Sequence, residues 1–500
     1  MGMSGGLYKF LQDSSRRYPD KVFVKSGGSQ WTYSVVKAMA EAVTDCLLEN
    51  GLRKGDRAVI FCENSVQYIA AFFGIMGSGA IAVPVNPLKM ADIFVYIIEK
   101  STPSIIMACN STLARLEKIE GIGHVKIVNI DSLLSQKDLC VKKDERHISL
   151  LPDTYDEAMI LFTSGTTSYP KGVTLTHGNI MANTQAIMDY LKLTAEDSVL
   201  VTLPFTYSYG NSVLLTHTFA GASIILTNDQ AYPYKILEGI RENGVTGFST
   251  VGSYINLMLK CMKSLPGEDF FKSLRYITFA GESTANEDVL FLYENFKNIK
   301  PYVMYGQTEA SARLSYLDPD MLPGKIGSVG KGLNNVILDI VDDNGISVKP
   351  GETGEIIAKG PNVMSGYWND TEATAEVFRN GWLYTGDTAA RDEEGFVYIK
   401  GRKNDIIKYM GHRISPVEIE GVINGCPLVR ESAVVEGKQD SLPVIKAFIV
   451  VQTNCPVDEI KRYVNTRLPA YMRPQAYEPI DRLPRTESGK IRRSVLRDRE

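Results

Sequence analysis

The sequence predicts an α/β fold: a large N-terminal domain of parallel α/β sheets with a β-barrel-like part, then a small α+β domain at the C-terminus. Three observations carry that reading. Apolar strand-like runs alternate with helix-like segments up to about residue 325. Beyond it, short strand signals are separated by turn residues, and near residue 400 a polar, charged segment opens a compact tail. Such alternation builds βαβ units, whose strands are covered on both faces and so read as continuous apolar runs.

Taken in order, the strand-like runs include Ala58 to Cys62, Ser104 to Ala108, Val125 to Ile130, Met159 to Phe162 and Ser223 to Leu226, and Val35 to Leu48 represents the helix-like segments. The most apolar stretch, Tyr68 to Val85, is divided by Gly74, Gly77, Ser78, Gly79 and Pro84 into a helix and a short strand. It therefore reads as buried core and not as a membrane span. Further on, Val336 to Val341 and Gly354 to Ala358 are strand signals around the turn residues Asp342, Asp343, Asn344 and Gly345, which mark the antiparallel or barrel-like part. The polar run Gly401-Arg402-Lys403-Asn404-Asp405 precedes the tail, which contains the amphipathic stretch Val457 to Leu468. The boundary falls at residue 403, giving a large domain over 1–403 and a small one over 404–500.

A chain of 500 residues exceeds one hydrophobic core, and with 44% hydrophobic and 22% charged residues it reads as globular and not disordered. A net charge of -4 and a pI near 5.9 leave no electrostatic footprint for nucleic acid or an anionic membrane. The seven cysteines are scattered and form no CxxC pair, which fits buried thiols in a reducing compartment; the five histidines lack metal-ligand spacing. The segment MGMSGGLYKF has no apolar run of a signal peptide, so the protein reads as cytoplasmic.

The most informative segment is Thr163-Ser164-Gly165-Thr166-Thr167-Ser168-Tyr169-Pro170-Lys171-Gly172, directly after an apolar strand. Hydroxyl residues and glycines let backbone N–H groups and side-chain hydroxyls converge on phosphate oxygens, and Lys171 adds a point charge. The Lys171-Gly172 order excludes a Walker A loop. On its own the segment also reads as a polar linker.

This segment resembles the phosphate loop of the adenylate-forming superfamily, which comprises acyl-CoA synthetases, aryl-acid ligases, peptide-synthetase adenylation domains and luciferases. Further motifs follow in that family's order: Tyr305-Gly306-Gln307-Thr308-Glu309, Tyr384-Thr385-Gly386-Asp387, Gly401-Arg402-Lys403-Asn404-Asp405 and Pro484-Arg485-Thr486-Glu487-Ser488-Gly489-Lys490. The likeness runs from the Trp31-Thr32-Tyr33 region to the end of the chain. It implies an ATP-dependent reaction in which Thr163, Ser164, Gly165, Thr166, Thr167 and Lys171 meet phosphates. Tyr305 and Gly306 line the nucleotide, Thr308 meets the α-phosphate and Glu309 positions Mg2+. Gly281 and Glu282 resemble the adenine-side loop, although the family more often has Gly where Ala280 stands. Asp387 is an implied ribose contact, and Arg402 resembles a second contact to the ribose or a phosphate.

The resemblance also implies a mobile small domain. Lys490 would enter the site from it and stabilise charge during adenylate formation. Asn404 matches the hinge, where the family more often has Asp or Lys. Gly411 resembles the glycine that lines the thiol tunnel after rotation, leaving room for a pantetheine arm. Read without the resemblance, Glu309 is a helix-start carboxylate, Asp387 a turn residue, and Arg402 and Lys490 surface cations.

Amino-acid-activating relatives carry a Phe-Asp pair whose carboxylate holds the substrate ammonium. Here Ser208, in Phe205-Thr206-Tyr207-Ser208-Tyr209, stands roughly at the aspartate position, so an acid without an α-amino group is favoured. Tyr207, Tyr209, Ser249, Ala280 and Met304 read as acyl-pocket walls or as core packing. Arg313 reads as meeting a polar or anionic substrate group or, in preference, as a salt bridge to the protein. The function expected is an AMP-forming acid–thiol ligase using ATP and Mg2+, with CoA as acceptor or, alternatively, the phosphopantetheine of a carrier protein. A third reading, a non-catalytic nucleotide-binding protein, sits poorly with Glu309, Asp387, Arg402 and Lys490 all being present.

Overall fold

The computed structural model describes residues 6–136, 152–163, 169–227, 229, 231–265, 269–282, 284–405, 407–409, 412–439, 442–451, 456–485, 491–497 and 499. The chain forms two compact units, Met1–Leu338 with Ala358–Leu383, and Asp339–Ile357 with Tyr384–Glu500.

In the first unit, the described residues form two large sheets. One has seven strands, in the order Gly366–Tyr367, Lys171–Thr176, Glu157–Thr163, Ile81–Pro84, Arg57–Phe61, Ile105–Ala108 and Lys126–Asn129. Its last five strands are parallel, and the hairpin of Glu157–Thr163 with Lys171–Thr176 turns the edge antiparallel. The other sheet has nine strands, with a parallel centre built from Lys300–Tyr305, Tyr276–Phe279, Gly247–Thr250, Ser198–Val201, Ser223–Leu226 and Val22–Ser26. These are the βαβ units expected from the alternation of apolar runs.

The stretch from residue 66 to 84 shows how local sequence sets the elements. Ser65 caps the helix Val66–Ser78 by accepting the N–H of Tyr68 at 3.1 Å, and Gly79 ends it in the left-handed region at φ 75°. A side chain at Gly74 would begin 2.6 Å from Cβ of Val43, so glycine allows this helix to cross close against Tyr33–Glu49. Both helices feed the large core that contains Val43, Phe72 and Phe73. Among the described residues no helix is long and apolar enough to cross a membrane.

One expectation about the cysteines is corrected. Cys62, just after the strand Arg57–Phe61, and Cys109, just after Ile105–Ala108, are paired as a disulfide with Cα atoms 5.6 Å apart. Neighbouring parallel strands place them side by side. Cys46, Cys261 and Cys426 form no disulfide among the described residues.

The second unit holds the antiparallel part. Within it Asp387 pairs with Arg402, and Arg391 with Val397, across a two-stranded ladder. Beyond it, Val429–Gln439 and Leu442–Val451 form a long antiparallel pair to which Ala476–Pro479 adds in parallel. The helices Pro416–Asn424 and Val457–Asn465 share a core with this sheet, burying Ile419, Ile423, Ile460 and Val464. The predicted amphipathic stretch is thus a helix that stops at Asn465, with Leu468 buried beyond its end. Glu420, itself buried, accepts the N–H of Val434 at 2.7 Å and Arg493 through both carboxylate oxygens at 2.8 and 2.7 Å, tying the helix Arg493–Arg497 to the rest of the unit.

Candidate active site

In the first unit, the phosphate-loop segment joins two antiparallel strands. Thr163 closes the first and lies opposite Lys171, which opens the second. Ser164, Gly165, Thr166 and Thr167 lie outside the described residues. Nζ of Lys171 is 3.6 Å from Glu376 and 5.1 Å from the centre of the Tyr367 ring, so a partly covered cation marks this end of the hairpin.

The Tyr305–Glu309 motif leaves the strand Lys300–Tyr305 and folds back at once. A Cβ on Gly306 would sit 2.0 Å from the carbonyl oxygen of Ala312, so only glycine fits this turn. Thr308–Ala310 is one turn of 3-10 helix, followed by Ser311 at φ 54° and Ala312 at φ 99°. The N–H of Leu314 then donates to the carbonyl of Tyr305 at 2.9 Å and closes the loop. Positive φ at two successive non-glycine residues costs on the order of 1–3 kcal/mol each, a kind of strain that gathers at ligand sites.

This loop holds two of the predicted catalytic side chains. Oγ1 of Thr308 lies 3.2 Å from Oγ of Ser208, the first residue of the helix Ser208–Ala220. The positive end of that helix and two hydroxyls therefore converge where an anion would be stabilised. Glu309 is held from the opposite side: Tyr367 donates its hydroxyl to Oε1 at 3.0 Å, and the N–H of Met364 donates to the Glu309 carbonyl at 2.8 Å. Its Oε2 accepts no hydrogen bond among the described residues. No cluster of three or more metal-ligating side chains occurs among them either. The donor set suits a magnesium ion taken up through one carboxylate together with nucleotide phosphates, the usual arrangement for this hard, strongly hydrated cation.

The predicted pocket residues form a connected group around Tyr209. Its hydroxyl donates to the carbonyl of Thr278 at 3.0 Å and lies 2.8 Å from Oγ1 of Thr278, which donates to Oγ of Ser249 at 2.9 Å. Burial raises the Tyr209 pKa above the usual tyrosine value, so the phenol stays protonated. Over its ring, at 4.0 Å, sits the guanidinium carbon of Arg313. Arg313 is only 3% exposed; it donates from Nε toward the sulfur of Met304 at 3.2 Å and from one terminal nitrogen to the carbonyl of Ala312 at 3.3 Å. The salt bridge expected for it does not occur: no carboxylate of the described residues lies within 4.0 Å of this guanidinium. The turn that carries it, fixed by Gly306 and Ala312, aims the side chain at Tyr209 and away from the surface carboxylates. Tyr207 stands at the N-cap position of the helix Ser208–Ala220 without a side-chain cap bond, and its hydroxyl accepts from the amide of Asn86 at 3.4 Å. Ala280 is buried after the strand Tyr276–Phe279, Gly281 follows at φ 91°, and Glu282 accepts the N–H of Ser253.

In the second unit, Arg402 donates from Nε to Asp387 at 2.9 Å and from a terminal nitrogen to the carbonyl of Thr385 at 3.1 Å. The side chain of Thr385 accepts the Asp387 N–H at 3.1 Å and donates to the carbonyl of Ile356 at 2.8 Å, which fixes the turn. Asn404 lies in the 3-10 turn Lys403–Asp405, and its carbonyl accepts from Arg497 at 3.3 Å; the neighbouring Asp405 pairs with Arg497 at 2.7 Å and Arg493 at 3.7 Å. Gly411 and Lys490 lie outside the described residues.

Sequence reasoning missed Tyr367, the hydroxyl that orients Glu309, because a tyrosine 58 residues away carries no pattern linking it to that carboxylate. It also missed Asn183 and Asn211. With Ser208 and Ser311 these line a water-sized cavity of about 10 Å³, where Oδ1 of Asn183 and Nδ2 of Asn211 are buried without a partner. Asparagines in a helix give no signal of this until the helices Ser208–Ala220 and His177–Leu191 are packed together.

The sequence matches two family models: AMP-binding enzyme over residues 11–368 and AMP-binding enzyme C-terminal domain over residues 418–490. It is 31% identical to a long-chain-fatty-acid–CoA ligase of Bacillus subtilis, covering 99% of this chain and 94% of that one. It is 30% identical to a 2-succinylbenzoate–CoA ligase of Bacillus cereus, over 96% and 95% respectively. The o-succinylbenzoate CoA synthetase of Bacillus subtilis, solved with its acyl-adenylate intermediate, superposes with a TM-score of 0.89 at 27% identity over 100% of this chain and 99% of that one. That synthetase has also been solved with ATP and magnesium, at a TM-score of 0.88 and 28% identity over 98% and 99%. The chain belongs to the AMP-binding enzyme family.

Proposed function

We propose that the chain is an AMP-forming acid–CoA ligase. A carboxylate oxygen of the acid attacks the α-phosphorus of ATP, the bond to the leaving oxygen breaks, and pyrophosphate departs to leave an acyl-adenylate. The thiolate sulfur of CoA then attacks the acyl carbon and AMP leaves, giving the thioester. The observation that carries this reading is the 3.2 Å contact of Thr308 with Ser208, which sets two hydroxyls and a helix N-terminus beside a carboxylate oriented by Tyr367.

Each residue has a role in this reading. Thr308 donates to an α-phosphate oxygen, where negative charge grows as the carboxylate attacks. Lys171 and the segment Thr163 to Thr167 hold the outer phosphates, and Tyr305, Gly306, Gly281 and Glu282 flank the nucleotide. Glu309 holds Mg2+, which supplies charge neutralisation at the phosphates when bound. Asp387 and Arg402 hold the ribose hydroxyls. Lys490 stabilises the charge of the first step; Asn404 is the hinge of a small domain beginning at residue 404, and Gly411 lines the path of the thiol. The acid lacks an α-amino group, because Ser208 offers no counter-charge to an ammonium. ATP and CoA place the reaction in the cytoplasm.

The test is ATP–pyrophosphate exchange across a library of carboxylic acids, followed by mass spectrometry of the CoA products. Acid-dependent exchange and a matching CoA thioester are expected. Absence of exchange with every acid, in protein that binds ATP, would overturn the reading.

A further inference from the structure

Arg313 carries a buried charge that the ligase chemistry leaves unused. A guanidinium removed from water is costly even after relaxation unless an anion and further hydrogen-bond acceptors compensate it. Here the compensation is partial. The side chain is 3% exposed, with one carbonyl, one thioether sulfur, the hydroxyl of Tyr190 and the face of Tyr209 around it, all of them neutral, and no carboxylate of the described residues within 4.0 Å. A desolvated cation–π contact returns less than a paired anion would.

The backbone is set up to hold this cation in place. Gly306 admits the carbonyl of Ala312, Ala312 itself sits at φ 99°, and the Arg313 carbonyl accepts the side-chain amides of Asn183 at 2.9 Å and Asn362 at 2.7 Å. The position is also tied to the reacting end of the substrate. Arg313 stacks on Tyr209, Tyr209 follows Ser208 in the first turn of its helix, and Ser208 touches Thr308. Beyond the Tyr209 ring the wall is polar, formed by the hydroxyls of Thr278 and Ser249. A purely hydrocarbon tail would bring the guanidinium no counter-charge.

We infer that Arg313 pairs with a second anionic group on the acid, so that the substrate is a dicarboxylic acid or a carboxylic acid bearing an equivalent anionic substituent. One carboxylate is adenylated at Thr308, and the oxygens of the other accept paired N–H bonds from the planar fork of the guanidinium. This inference rests on the ligase reading above and narrows its substrate class.

The test uses non-hydrolysable acyl-sulfamoyl adenosines in matched pairs, each with a plain acyl tail and with the same tail ending in a carboxylate. Two alkyl lengths and one aromatic pair are included, and binding to the full chain is measured by calorimetry. At least one carboxylate-tailed analogue should bind on the order of a hundredfold tighter than its plain partner. In Arg313→Met, of similar length but uncharged, that ratio should collapse to about one while the plain analogue binds as well as before or better. Arg313→Lys should recover part of the ratio. Equal binding within every pair in the unsubstituted protein would overturn the inference and leave the ligase standing. Equal loss of both members in Arg313→Met would also overturn it, by showing a role confined to packing. Failure of every analogue to bind would instead count against the ligase reading itself.

Discussion

Asp387 and Arg402 stand directly opposite each other on neighbouring antiparallel strands, joined by a 2.9 Å contact from Nε to Oδ1. The Arg402 side chain is about half exposed, so the pair adds at most about 1 kcal/mol to stability. Its value lies in presenting a carboxylate of fixed orientation. Asp387→Asn should therefore leave the melting temperature nearly unchanged while raising the KM for ATP roughly tenfold to a hundredfold, the loss of charge-assisted bonds to ribose hydroxyls. Exchange kinetics beside a thermal melt check this. A destabilised variant with an unaltered KM would place the pair in the scaffold alone.

Glu309→Gln keeps an acceptor for the Tyr367 hydroxyl, so its fold should survive. Adenylation should fall on the order of a hundredfold because the metal-facing charge is gone. Tyr367→Phe removes only the orienting bond and should cost about tenfold, with a raised magnesium requirement. Exchange measured across a magnesium titration separates the two variants, and unchanged exchange in Glu309→Gln removes that residue from the reaction.

In the proposed reading, Ser208 would leave a substrate ammonium without a partner. Acids lacking an α-amino group should support exchange at least tenfold better than the matching α-amino acids, since a buried uncompensated cation costs several kcal/mol. A screen in which only α-amino acids respond would mean that another carboxylate supplies the anchor.

The two half-reactions should separate by substitution. Lys490→Ala should lower adenylate formation a hundredfold or more, yet leave thioester formation from synthetic acyl-adenylate largely intact. Gly411→Leu should make adenylate and transfer it poorly. Equal losses of both steps in each variant, with folding confirmed, would argue against domain rotation.

Stability should depend on pH through two buried histidines. The ring of His177 accepts the Leu7 N–H at 3.1 Å, and His217 lies 2.9 Å from the Tyr276 hydroxyl and 2.8 Å from the Val213 carbonyl. Burial lowers both pKa values from 6.5 to about 4. Between those values the unfolded chain binds more protons than the folded one, so stability is full above pH 6.5 and declines as pH falls toward 4. Urea denaturation at pH 7 and pH 5 should differ by about 2 kcal/mol per histidine, and His217→Gln should remove one share of that slope.

The parallel sheets were legible because buried strands such as Ile105–Ala108 are short apolar runs in any context. Thr308 and Glu309 were legible through the resemblance of their motif to the adenylate-forming superfamily; the turn that Gly306 makes by its close approach to Ala312 was not. Contacts made only by tertiary packing were not. Tyr367 reaches Glu309 from an edge strand, Cys62 meets Cys109 because two strands 47 residues apart are adjacent, and Arg313 lacks its expected ion pair because the local turn directs it toward Tyr209. Periodicity and spacing report what a segment does to its own backbone, and these contacts depend on where another segment ends up.

If Tyr209, Ser249, Met304 and Arg313 line the acid as proposed, Gly210 and Gly306, beside them in the chain, separate what can be re-engineered from what cannot. A methyl group at Gly306 would collide with the Ala312 carbonyl at 2.0 Å, and one at Gly210 with the Pro204 carbonyl at 2.2 Å, so in both cases main chain would have to move. Libraries intended to retarget the acid should hold these positions constant and randomise the side chains they support, Tyr209, Ser249, Met304 and Arg313. Diversity spent on the glycines would yield misfolded clones, whereas diversity at the four walls samples new acids on an unchanged backbone.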